Sequence, residues 1–156
     1  MDIEAIEIKD KAEKKVIDDI KQYGWSIMHV FDDKNELPNF SYSVGIFHTF
    51  KQPEIIVYGM PNDSAQILIN NVGSSLKDTD IVEGKEYRGF INDQVPCVFR
   101  KVSQDHYKEH FGFNTWLYKN NDFPVMQLIW PDKGLKFPWD KGFDETKRQQ
   151  QPLLFS

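Results

Sequence analysis

The residue pattern predicts an α+β domain, a single unit with a largely antiparallel sheet whose helices cover one face. Two segments show apolar residues at spacings of three and four: Ala5, Ile8, Ala12, Val16, Ile20 and Tyr23, then Ala65, Leu68, Ile69, Val72 and Leu76. Between and after them lie short runs rich in aromatic and β-branched residues, bounded by Gly, Pro, Asn and Asp. The order is helix, two or three strands, helix, hairpin, helix, strand. It lacks the regular βα alternation of a parallel sheet, and no fixed repeat points to a solenoid.

The first helix ends at Gly24, a residue suited to the left-handed turn that closes a helix. Its outer side carries Glu7 with Lys11 and Asp10 with Lys14 at i,i+4, the pattern of a solvated face. Strands are expected at Trp25 to Val30 and Phe40 to Phe47, joined by the polar loop Asp32 to Asn39. Pro53 introduces a third strand, Glu54 to Tyr58. The second helix follows, capped by Asn62 or Asp63. Tyr87 to Ile91 and Val95 to Val102 bracket Asn92, Asp93 and Gln94 and suggest a second hairpin. Ser103 to Tyr118 begins as a helix, broken at Gly112, and the rest stays open between helix and strand. A buried strand runs from Val125 to Trp130, and the polar tail from Gly142 to Arg148 has helical character.

A chain of 156 residues suffices for one domain with its own core, and no linker divides it. It partitions into an N-terminal amphipathic helix (1–23), a sheet core (24–140) and a C-terminal tail (141–156). The 24 acidic and 19 basic residues leave a net charge of -5. That balance disfavours nucleic-acid phosphates and anionic membranes and suits a basic protein partner. Cys97 is the single cysteine, so neither an internal disulfide nor a thiolate zinc site is expected. No segment resembles a membrane span or a secretion signal, and the expected location is cytoplasmic.

Residues 124 to 140 place two Trp, a Phe and three Pro around a turn at Asp132, Lys133 and Gly134. Taken with Gly24-Trp25, Phe40-Ser41-Tyr42-Ser43-Val44-Gly45-Ile46, Pro53-Glu54-Ile55-Ile56-Val57-Tyr58-Gly59, Gln127-Leu128-Ile129-Trp130-Pro131-Asp132, Phe137-Pro138-Trp139 and Gln151-Pro152-Leu153-Leu154, the chain resembles the bacterial domain of unknown function 4262 family. The resemblance covers nearly everything after the first helix. It implies no reaction, cofactor or catalytic residue.

Among residues able to do chemistry, His106-Tyr107-Lys108-Glu109-His110 matches an H-x-x-E-H arrangement. On a helix, His106 and His110 would share one face and hold zinc, with Glu109 as general base and a third ligand from a carboxylate such as Glu145. The competing reading is an exposed polar helix, since only three residues are fixed. Were Phe31 to pair with Phe40, His29 would fall opposite Tyr42, giving an imidazole and a phenol one pocket for acid–base work. A hydrogen-bonded structural histidine is the plainer alternative. Glu54, at the start of an otherwise apolar strand, is a third candidate, with a solvated strand end as the plainer reading. Neither a serine-hydrolase elbow nor a phosphate-binding loop occurs, and Cys97 reads as a buried thiol. Trp116, Trp130, Phe137 and Trp139, with Asp132, cluster near turns and could anchor a partner, or seal the end of the sheet with Trp130 and Trp139 across Pro131. The expectation is therefore a non-catalytic protein-binding module without a cofactor, of which an immunity-type toxin antagonist is one form. A zinc-dependent hydrolase is the alternative, and a small-molecule sensor with a pocket beside the first hairpin is a third.

Overall fold

The computed structural model describes residues 1–34 and 36–155. Helix α1 spans Lys11–Tyr23 and starts later than its apolar spacing suggests, because the Asp10 carboxylate caps it by accepting the Glu13 N–H at 2.8 Å. Ala5 belongs to a separate 3-10 turn, Ile3–Ala5. The helix closes at Gly24 in the left-handed region, φ 100°.

Strands β1 (Ser26–Val30) and β2 (Phe40–Val44) follow. β2 stops short of Phe47 because Gly45, at φ 113°, turns the chain into the short helix α2, Ile46–Phe50. Only glycine fits there, since an added Cβ would sit 2.7 Å from Ile20 Cγ1. β3 (Glu54–Tyr58) leads to α3 (Asn62–Leu76). Pro61, not Asn62 or Asp63, occupies the cap of α3, and no side chain bonds its first turn. The second hairpin is shorter than expected: β4 is only Glu86–Tyr87 and β5 is Cys97–Lys101. Asn92 Oδ1 accepts the N–H groups of Gln94 and Val95, both at 2.8 Å, and so converts the expected strand ends into a turn. A 3-10 turn (Gln104–His106), α4 (Tyr107–His110), α5 (Gly112–Tyr118) and β6 (Val125–Ile129) complete the elements before a last 3-10 turn at Glu145–Lys147. Gly112 opens a helix instead of breaking one.

Among the described residues six strands lie in the order β1-β2-β3-β6-β5-β4, and only β3 and β6 run parallel. The α+β class and the mostly antiparallel sheet thus hold. The helices, expected on one face, cover both. The reason is visible in β3, where Ile55 and Val57 join one cluster while Ile56 and Tyr58 join another, a continuous apolar run of the kind that two-sided burial requires. α1 and the segment 107–123 cover the first face, through Val16, Ile17, Ile20, Tyr107, Phe111 and Leu117. α3 covers the second through Leu68, Ile69, Val72 and Leu76.

The C-terminal segment is fastened to β6 by two buried amides. Gln127 Nε2 donates to the Pro152 carbonyl at 2.8 Å and its Oε1 accepts the Leu154 N–H at 2.9 Å. The Gln151 side chain pairs with both backbone groups of Trp130, at 2.9 and 3.0 Å. Gln151 satisfies the backbone where β6 gives way to a loop, and Gln127 that of the C-terminal segment. No helix among the described residues is long and apolar enough to cross a membrane.

Candidate functional site

A cleft of about 490 Å³ opens on the first face, between the β1–β2 loop, the 106–110 turn and the C-terminal segment. Tyr58 and His110 form its floor, both nearly buried. Their positions follow from local chemistry. Tyr58 ends β3 just before the left-handed Gly59 (φ 76°), and the carbonyl of Tyr58 is held by the Trp130 indole N–H at 2.7 Å. His110 ends α4, where its Nδ1 bonds the His106 carbonyl at 2.8 Å. A carbonyl only accepts, so Nδ1 carries the proton and Nε2 is free to accept from the Tyr58 hydroxyl, which it does.

The electrostatics favour this neutral pair. Burial lowers the His110 pKa from its ordinary 6.5, and burial followed by the charge of Glu109 pushes the Tyr58 phenol up to about 12. Phe40 packs at a tilt against both rings, with centroids 5.1 Å from Tyr58 and 4.9 Å from His110. The rim is different in character. Phe31 and Leu37 are 66% and 70% exposed, and Val30 and Leu153 extend the apolar wall. Two carboxylates stand beside it. Asp32 is turned into its own loop, accepting the N–H groups of Lys34, Glu36 and Leu37. Glu109 is exposed and forms no ion pair among the described residues.

The cleft therefore gathers all three residues of the H-x-x-E-H segment, His106, Glu109 and His110, but in a different arrangement from the expected helix. His106 closes a 3-10 turn and His110 closes α4, with their rings edge to face at 6.1 Å. Both ring nitrogens of His110 are already hydrogen-bonded. Glu145, the suggested third ligand, is engaged by Arg148 at 2.7 Å. Among the described residues no three His, Cys, Asp or Glu side chains are grouped to hold a metal ion.

A family model, "Domain of unknown function (DUF4262)", matches residues 19–144. The chain belongs to this family. No match was found among curated proteins or among solved structures. The matched span contains the floor and the acidic side of the cleft in this DUF4262 domain, and it stops short of the C-terminal wall.

The other residues singled out from the sequence do not converge. β1 pairs with β2 one residue out of the supposed register, Val30 opposite Phe40, so His29 faces Ser41 and lies on the opposite side of the sheet from Tyr42. His29 bonds the Ser41 hydroxyl at 2.7 Å and the Gln66 amide oxygen at 3.0 Å. Tyr42 is buried beside Phe40 and Phe111, and burial raises its pKa to about 12. The shared His–Tyr pocket is instead built by His110 and Tyr58, which carry no spacing signal because 52 residues separate them.

Trp116 rests against the first-face cluster and Trp130 against the second. Trp139, 47% exposed, stacks on Phe137 at 5.3 Å. Asp132 is a turn-former, accepting the N–H groups of Lys136 and Asp144 at 2.9 and 2.8 Å, which hold its carboxyl below the usual range. These four residues thus serve separate local structures.

Glu54 overturns its reading as a solvated strand end. It is fully buried and receives five donors: the Ser43 hydroxyl (2.7 Å), the N–H groups of Gly45 (3.0 Å), Ile46 (3.1 Å) and Phe47 (3.3 Å), and the Tyr118 hydroxyl (2.5 Å). Burial drives its pKa up and the donors, led by Tyr118, oppose that. Ser43 and Tyr118 also accept from the Ile55 and His48 N–H groups, so each is left with its proton to give. The carboxylate fastens the β2–α2 turn to β3 and leaves no opening for a substrate. Cys97 is buried as expected, which pushes its thiol up to about 12.

Proposed function

We propose that the chain is a non-catalytic protein-binding domain whose partner inserts an apolar side chain, flanked by a basic one, into the cleft over Tyr58 and His110. The observation that carries this reading is the rim. Phe31 and Leu37 leave large apolar surface in water beside Glu109, a carboxylate with no ion pair among the described residues. Soluble domains rarely leave such residues grouped around a concavity without a use for them. Apolar anchors seated in a pocket with charges at the edge supply most of the energy of many interfaces. The net charge of -5 favours a basic partner on the same grounds. An immunity-type antagonist of a basic toxin fits the description, as does any partner with that chemistry.

A photoreactive benzoylphenylalanine placed at position 31 or 37, in cells that express the chain natively, tests this. A discrete protein adduct is expected from both positions, and it is lost when Glu109→Lys is added. Adducts formed equally well from the distant exposed position Val82, or none from 31 and 37, would overturn the proposal. The zinc-hydrolase alternative requires His110 to give up Tyr58 or the His106 carbonyl. Zinc added in equimolar amount is therefore expected to leave the thermal midpoint of the protein unchanged, whereas a rise abolished by His106→Ala would favour the hydrolase.

A further inference from the structure

We propose that the free edge of β1 accepts an extended segment of a partner protein as an added strand. β1 lies at one end of the sheet and pairs only with β2, so its outer row of N–H and C=O groups has no protein partner among the described residues. The sequence of β1, Ser-Ile-Met-His-Val, contains none of the charged or proline residues that usually guard an edge. The opposite edge strand, β4, is only two residues long.

A groove of about 730 Å³ runs along this edge and is walled on both sides. Lys15, Asp19 and Tyr23 of α1 form one wall, and Gln66, Asn70 and Ser74 of α3 form the other. Each set is spaced by four, one stripe of its helix. Because α1 packs on the first face and α3 on the second, a groove touching both must lie across the edge and not on either face. The α1 stripe extends about 12 Å at the rise of a helix, enough to flank about four residues of an extended chain.

The walls decide the occupant. A second copy pairing β1 to β1 would drive its own two helices into these, whereas a single extended chain enters between them. Its backbone would bond β1 while its side chains alternate toward the two walls. Those walls are polar: Lys15 pairs with Asp19 at 2.6 Å, Asp19 accepts the Ser26 hydroxyl at 2.7 Å, and Asn70 accepts the Trp25 indole N–H at 3.0 Å. The added strand is therefore polar in its side chains and is held mainly by main-chain bonds.

The test uses peptides selected from a random-sequence library on the immobilised full chain, then resynthesised with N-methyl groups on alternate residues. An added strand presents only every second N–H to β1. Methylating one alternate set is expected to weaken binding about tenfold or more, while the other set leaves it unchanged. Ser74→Trp, a change at an exposed helix position that fills the groove, is expected to give a similar loss. Equal tolerance of both methylated sets, undiminished binding to Ser74→Trp, or a library that yields no binder would overturn the proposal. So would concentration-dependent protection of the β1 amides in the free protein, which would assign the edge to a second copy.

Discussion

Glu54 shows how one side chain can hold a junction together. Its two oxygens take five donors from β2, the Gly45 turn, α2 and α5, so each neighbour depends on the charge. Glu54→Gln presents an amide N–H₂ to groups that donate, and a loss of about 2–4 kcal/mol is expected in urea unfolding. Tyr118→Phe removes one of those donors and the acceptor of the His48 N–H, for about 1–2 kcal/mol. His110 gives a pH signature. Its folded pKa lies below the 6.5 of a free histidine, so below 6.5 the unfolded chain takes up a proton that the native state refuses. Stability is full above that value and declines as pH falls toward the folded pKa. His48 is shifted the same way, so the diagnostic quantity is the difference: His110→Gln flattens the decline by its own share. A decline of unchanged slope in that variant would place the titration elsewhere. None of these roles was legible from the residues alone. A glutamate at a strand start is commonly solvated, and only the fold reveals that Glu54 lies beneath a helix.

At the scale of elements, periodicity located the main helices and the strands β1, β3 and β6, because burial on one stripe or on alternating sides leaves a direct trace in sequence. It failed where a single polar or glycine residue overruled propensity. Asp10 delayed α1, Gly45 ended β2, and Asn92 shortened the second hairpin. Helical cover on both faces was implied by the unbroken apolar run of β3, a signal that the overall element order concealed. Close packing between elements yields a further expectation. Gly73 lies in α3 against the Trp25 indole, and a Cβ there would meet the ring at 2.8 Å. Gly73→Ala gains about 1 kcal/mol of helix propensity. Trp25 cannot retreat freely, being bonded to Asn70 and packed on Phe50. A net loss of about 1–3 kcal/mol is expected, read as a lower denaturant midpoint. Gln127→Leu tests the C-terminal wall of the cleft: it strips partners from Pro152 and Leu154, with an expected cost of about 2–3 kcal/mol and faster amide exchange at Leu154.

For the whole molecule, the sheet brings together residues that the sequence keeps apart. Tyr58, His110 and the loop carrying Phe31 and Leu37 meet only because β1, β2 and β3 are neighbours and the 106–110 turn lies over them. Part of this site is legible in the sequence, since the spacing of His106, Glu109 and His110 marks them out, though as two zinc ligands and a general base. Phe31 and Leu37, two apolar residues in the otherwise polar loop joining β1 to β2, are the sequence feature on which the proposed binding surface rests. Membership of the DUF4262 family assigns no activity to this arrangement, so the proposed function rests on the cleft itself. The measurement that tests it most directly is the dissociation constant of the partner identified by crosslinking, for wild type, Phe31→Ser/Leu37→Ser and Glu109→Lys. The apolar double variant is expected to bind about 10–100-fold more weakly and Glu109→Lys to slow association, with Val82→Ser unchanged and the partner recovered at unaltered mass. Equal affinity for wild type and the double variant, or a partner returned chemically altered, would contradict the proposed function.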